Sequence, residues 1–176
     1  MGVMEGMAIE RHLYLLRHAK SSWDDAKLAD HERPLAPRGK KAMKAMARHL
    51  RREGIHPQRV LCSSAKRARQ TLERIIPALG NDVALEVEDA LYTFDDEPLF
   101  VRLKRVPASV TSLMLVGHNP ALQDLTLRLA GSGEAIDRVA AKFPTGALAV
   151  LSIPVAWSRL RPGVAQLVAF VSPSDV

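Results

Sequence analysis

Arg17-His18, Arg67 and His118 supply two guanidinium groups and two imidazoles from three separate stretches of the chain. Together these residue types suit phosphoryl transfer. An arginine fork grips phosphate oxygens through paired N–H donors and stays charged at any working pH. A histidine nitrogen can attack phosphorus and carry it as a covalent intermediate. Neighbouring guanidinium charges disfavour the imidazolium, which leaves a neutral, nucleophilic ring near neutral pH. Charge spread over three oxygens in a metaphosphate-like transition state can be met by fixed cationic donors without a metal. A single histidine at a strand end is more often structural, so the signal lies in the convergence of the four.

For convergence, the fold must bring these stretches to one edge. His12–Arg17 is a short apolar run that predicts a buried strand ending at the Arg-His pair, followed by a long polar loop, residues 18–37. Loops of that length inside a compact domain are usually functional. Ala42, Met43, Met46, Ala47 and Leu50 recur at helical spacing and Gly54 ends the helix. Val60–Ser63 predicts a second strand, with Ser63 or Ser64 capping a helix from Ala65 to about Leu79. Val83–Val87 alternates as a strand and Glu97–Val106 as a helix. Ser112–Val116 leads into Gly117-His118-Asn119-Pro120, where Asn119 suits an N-cap and Pro120 the first helical position. Ala147–Ile153 and Ala165–Val171 are two late strands. Strand–helix alternation predicts a three-layer α/β/α sandwich around a mostly parallel sheet, whose ligands sit outside the carboxyl ends of the strands.

The 176 residues fit a single domain, and 47% hydrophobic residues are enough for a core. No apolar run reaches the ~18–20 residues of a membrane span. The single cysteine, Cys62, cannot form an internal disulfide, and residues 1–12 lack a secretory pattern, so a reduced, cytoplasmic protein is expected. The net charge of +6 raises the question of nucleic acid. Residues 38–69 alone carry +10, leaving −4 elsewhere. With aromatics at 5% and no zinc-finger or RNA-binding signature, a solvated basic face is the simpler reading.

The segments LYLLRHAKSSWDD, DHERPLAPRG, SSAKRARQT and LVGHNP, in this order, resemble the histidine phosphatase superfamily and its phosphoglycerate-mutase-like fold. The SixA-type phosphohistidine phosphatases are the subgroup they look most like. The resemblance implies one histidine phosphatase domain over residues 12–176, preceded by a flexible extension of residues 1–11. It implies that His18 is phosphorylated, that Arg17, Arg67 and His118 complete the catalytic set, and that Ser21 contacts the phosphate. Asn119 and Arg33 are further substrate-binding candidates, although Arg33 is equally suited to bracing the loop. No cofactor and no metal is implied. The chain departs from the superfamily pattern at Ala19, where glycine is usual, and in the region after the third strand. There Glu86, Glu88, Asp89, Asp95 and Asp96 include no recognisable proton-donor motif. Imidazole leaves phosphorus readily once protonated, so this departure favours phosphohistidine over ordinary phosphate esters. The expected partner is a phosphorylated protein such as a histidine-containing phosphotransfer domain, with no membrane. The alternatives are a small-molecule phosphatase of the same superfamily and a non-catalytic phosphate- or nucleic-acid-binding module.

Overall fold

The computed structural model describes residues 9–176, so residues 1–8 of the expected extension lie outside the described residues. Arg11 is already part of the first strand, β1 (Arg11–Arg17), one residue earlier than expected. Its guanidinium donates to the carbonyl of Ala108 at 2.9 Å, which ties the strand start to the connection between α3 and β4.

The chain continues through α1 (Pro37–Arg52), β2 (Arg59–Ser63), α2 (Lys66–Ile75), β3 (Ala84–Glu88) and α3 (Asp96–Lys104). Then come β4 (Ser112–Gly117), α4 (Ala121–Leu129), β5 (Ala130–Ser132), α5 (Ile136–Ala141), β6 (Leu148–Ile153) and β7 (Ala165–Val171). The seven strands form one sheet in the order β3-β2-β4-β1-β6-β7-β5. Only β6 runs against the others, pairing antiparallel with β1 and β7. The sheet is therefore mostly parallel, as the sequence pattern predicts.

Side chains alternate faces along a strand, and the two faces carry separate cores. Leu13, Leu15, Leu61, Leu113 and Leu115 pack with Leu99, Leu103, Leu122 and Leu125 of α3 and α4. Leu16, Val60, Cys62, Met114 and Val116 pack with Met43, Met46, Leu50, Leu72 and Ile75 of α1 and α2. Strands covered on both sides read as unbroken apolar runs such as LMLV, and the result is the three-layer sandwich. The basic residues Arg38, Lys40, Lys41, Lys44, Arg48, Arg51 and Arg52 occupy the exposed side of α1.

The helix from Ala65 to Leu79 is shorter than its pattern suggests. It ends at Ile75 and tightens into a 3-10 turn over Ile76–Ala78, where Pro77 cannot donate to the α-helical ladder. The two ends of the long loop after β1 are pinned to each other by backbone contacts, Ser22 N–H to Pro34 O at 2.8 Å and Ala36 N–H to Lys20 O at 2.9 Å, and Lys20 packs against the first turn of α1. Gly39 makes this docking possible, because a Cβ there would lie 2.2 Å from the Lys20 carbonyl oxygen. Gly39→Ala is expected to destabilise the protein by about 2 kcal/mol or more, since backbone must shift to relieve the overlap. A urea midpoint unchanged from the parent would contradict that packing.

Candidate active site

Parallel register brings the two histidines together. Arg17 lies opposite Gly117 where β1 and β4 pair, and the His18 N–H extends the ladder to Gly117 O at 3.0 Å. His18 and His118 then leave adjacent strand ends with ring centroids 5.2 Å apart and planes tilted by 52°. Ser63 closes β2 on the other side of β4, completing a three-strand edge.

His18 is buried, and its Nδ1 lies 2.7 Å from the carbonyl oxygen of Ala19. A carbonyl only accepts, so Nδ1 carries the proton and Nε2 keeps its lone pair. Burial holds the ring's pKa down to about 3, aided by the positive charges of Arg67 and Arg17 and opposed by the Ala19 contact. His118 is 1% exposed and held down to about 3, again chiefly by burial and then by Arg67. Arg17 reaches the Phe143 carbonyl through Nη1 at 2.7 Å, while its Nε is buried without a partner. Ala19 is fully buried against the α1–α2 core, so the methyl that replaces the usual glycine hydrogen is accommodated by packing. Its N–H donates to Thr71 Oγ1 at 2.9 Å, and the Thr71 hydroxyl donates to Arg67 O at 2.8 Å. The loop carrying His18 is thus tied to the helix carrying Arg67.

Arg67 is buried and donates to Asp30 twice, through Nη1 to the backbone oxygen at 2.7 Å and Nη2 to Oδ2 at 2.9 Å. Asp30 also accepts from the Tyr92 hydroxyl and from Arg33 Nη1 at 3.1 Å. Despite the cost of desolvation, the bonds from Tyr92, Arg67 and Arg33 lower its pKa to about 2. Tyr92 and the half-exposed Phe94 stand edge-on to His118 with centroids 5.4 and 5.7 Å away. Sequence reasoning missed Asp30, Tyr92 and Phe94. Asp30 opens the DHERPL motif, which was the available signal, whereas Tyr92 and Phe94 have no spacing that links them to the histidines.

Two expected substrate contacts are otherwise engaged. Arg33 is a brace: its Nη2 donates to Ser21 Oγ at 2.6 Å, its Nε to Ser22 O at 3.0 Å, and its plane stacks 3.2 Å from the Trp23 ring centre. Asn119 is spent on α4, where Oδ1 accepts from Gln123 N–H at 3.0 Å and Nδ2 donates to Gln123 Oε1 at 3.1 Å. The helix starts at Ala121 with Pro120 at the N-cap, one position later than the expected Asn119–Pro120 arrangement, and Asn119 bonds the Gln123 N–H from the position before the cap. Ser21 remains at the loop, its Oγ accepting from Arg33 and its hydroxyl hydrogen without an acceptor among the described residues.

Four of the five acids in and after the third strand are committed elsewhere, and the fifth, Asp89, is exposed. Glu86 and Glu88 pair with Arg102 at 3.1 and 2.9 Å, Asp96 pairs with Arg128 at 3.2 Å, and Asp95 caps α3. Cys62 faces the α1–α2 core, and burial pushes its thiol up to about 12. Among the described residues, no three His, Cys, Asp or Glu side chains cluster as metal ligands. No helix there is long and apolar enough to cross a membrane.

The two neutral histidines make stability depend on acid. Their folded pKa values lie below the ordinary 6.5, so the unfolded chain takes up protons first. Their contribution is complete above about pH 6.5 and is lost as pH falls toward 3, by about 2 kcal/mol per imidazole between pH 7 and pH 5. Urea unfolding at the two pH values should show this loss, and His118→Gln should flatten it. Equal stability at both would contradict neutral buried rings.

The family model for the histidine phosphatase superfamily (branch 1) matches residues 13–95. An uncharacterized protein of Mycobacterium tuberculosis is 39% identical over 162 residues, covering 90% of this chain and 99% of its own. A structure from Nakamurella multipartitia, provisionally designated phosphohistidine phosphatase SixA, superposes with a TM-score of 0.82 at 30% identity, covering 93% of this chain and 96% of that one. The protein histidine phosphatase SixA in complex with tungstate gives 0.75 at 25% identity, covering 93% and 97%.

Proposed function

The chain belongs to the histidine phosphatase superfamily and its SixA-like group, and we propose that it hydrolyses the N–P bond of phosphohistidine on a protein. The observation that carries this choice of substrate is the state of the carboxylates around the site. Asp30 is the one bonded into it, and with its pKa lowered to about 2 it holds no proton to donate at neutral pH. Glu86, Glu88, Asp95 and Asp96 are tied to Arg102, the α3 cap and Arg128, and Asp89 is exposed with no bond that brings it to the histidines among the described residues. An alkoxide leaving group needs a donor at this point. A protonated imidazole does not.

In the first step the His18 Nε2 lone pair attacks phosphorus in line, opposite the bond to the substrate histidine. Arg17, Arg67 and His118 hold the equatorial oxygens as charge builds on them. The substrate's N–P bond breaks, and its ring, protonated at the other nitrogen, leaves as neutral imidazole. The bond from His18 Nδ1–H to the Ala19 carbonyl keeps the ring oriented and supports the positive charge on phospho-His18. Water then attacks phosphorus, the His18–P bond breaks, and inorganic phosphate departs. The Ser21 hydroxyl donates to the same phosphate in this reading.

Brief exposure to a phosphohistidine protein labelled at phosphorus, followed by alkaline quench and peptide mapping, tests this reading. An acid-labile label on His18 is expected. Label on another residue, or hydrolysis of sugar phosphates but not of phosphohistidine, would overturn it. The second outcome would favour a small-molecule phosphatase.

A further inference from the structure

Ser63 is fully buried at the end of β2, with its Oγ 2.7 Å from Nε2 of His118. What else each atom must do decides which of them holds the proton. Ser63 Oγ already accepts the N–H of Ala65 at 3.2 Å. Its hydroxyl hydrogen has no acceptor other than His118 Nε2 among the described residues. On the other side of the ring, His118 Nδ1 is sealed from solvent and has no partner among the described residues. A buried polar atom left unpaired is costly, and one kept so beside a reaction centre calls for an explanation. A proton on Nε2 would strand the serine hydrogen and leave Nδ1 as a bare lone pair, which repels a phosphoryl oxygen. With the proton on Nδ1, the serine bond is satisfied and a donor remains for the anion.

We infer that Ser63 is a positioning residue that fixes the tautomer of His118, donating to Nε2 so that Nδ1–H is the group offered to a phosphoryl oxygen. This rests on the reading above only in taking that oxygen as the ligand of His118. The two histidines then divide the work. His18 presents a lone pair to phosphorus and His118 presents a hydrogen to oxygen, each set by a different neighbour. In His18 the neighbour is a carbonyl and in His118 a hydroxyl. Thr71 already occupies the equivalent bracing position for the loop of His18, so the two supports are independent.

The test uses the full chain labelled with nitrogen-15 in histidine. Correlation spectra at pH 7 distinguish protonated from bare ring nitrogens, and the His118 signals are assigned by their loss in His118→Gln. The wild type is expected to show a protonated Nδ1 and a bare Nε2. In Ser63→Ala the ring should exchange between both tautomers, and tungstate, used as the oxyanion probe, should bind about tenfold more weakly. Ser63→Thr, which keeps the hydroxyl, should restore both properties. A wild-type ring protonated at Nε2 would overturn the inference, as would a Ser63→Ala variant with unchanged tautomer and tungstate affinity. If the alanine variant does not fold, the wild-type spectrum alone decides. Neither readout uses phosphohistidine, so a protein inert toward that substrate but protonated at Nδ1 would fail the substrate assignment and retain this one.

Discussion

His18→Ala is expected to reduce turnover of a phosphohistidine protein on the order of 10⁴-fold or more, with no label trapped on the chain. Removing a nucleophile typically costs this much, because the remaining groups bind and polarise the substrate without offering a route through a covalent intermediate. The ring is nearly enclosed, and its one described hydrogen bond is the local contact to Ala19, so its loss leaves the packing of the sheet edge intact. Circular dichroism and the binding of tungstate should therefore survive better than activity does. Residual turnover within tenfold of the parent would mean that another group attacks phosphorus.

Arg67→Ala is expected to lower kcat/KM on the order of 10²–10³-fold, the usual loss when a fixed donor to transition-state charge is removed. A second consequence separates this substitution from a simple loss of binding. Arg67 lowers the pKa of both His18 and His118, so without it both rings become easier to protonate. The acid limb of the pH–rate profile should then move upward in pH, toward the ordinary imidazole value. Asp30 would keep Arg33 and Tyr92 as partners, and its charge would still act to raise the pKa of His118. Arg67→Lys retains a charge without the planar fork that meets the backbone oxygen and Oδ2 of Asp30 together, and should recover only part of the loss. An acid limb unmoved in the alanine variant would argue that Arg67 does not face the imidazoles electrostatically.

Much of this architecture is legible in the chain because the determining forces are local. LMLV and LYLL are apolar throughout since both faces of those strands are covered, and the Met43–Leu50 stripe fits one face of a helix. Strand ends then place His18 and His118 by topology alone. The short elements are different. Ala130–Ser132 is a strand only because β7 lies beside it, and no side chain in Ala-Gly-Ser announces the pairing. The six residues of α5 are likewise too few for a periodic pattern.

The same contrast divides the site. Arg17, His18, Arg67 and His118 could be read from residue type and position because the chemistry demands those groups. The Asp30–Arg67–Tyr92 contact spans 37 and 62 residues of sequence, and nothing short of the fold relates its members. Arg33 and Asn119 show the converse. Both are polar residues next to the site, as a substrate contact requires, yet local geometry claims them first. One holds a loop closed around Ser21 and Trp23, and the other completes the first turn of a helix.

The burial of Cys62 bears on how the protein would fare under oxidative stress. Peroxide attacks thiolates, and a thiol pushed up to about 12 is almost wholly protonated near neutrality. The sulfur also lies behind α1 and α2, out of reach of the solution. With attack on phosphorus assigned to nitrogen, no oxidisable thiolate stands in the reaction path. Turnover should persist through peroxide treatment, and recovery should need no added thiol. Dephosphorylation would then continue in conditions that silence enzymes whose nucleophile is a cysteine.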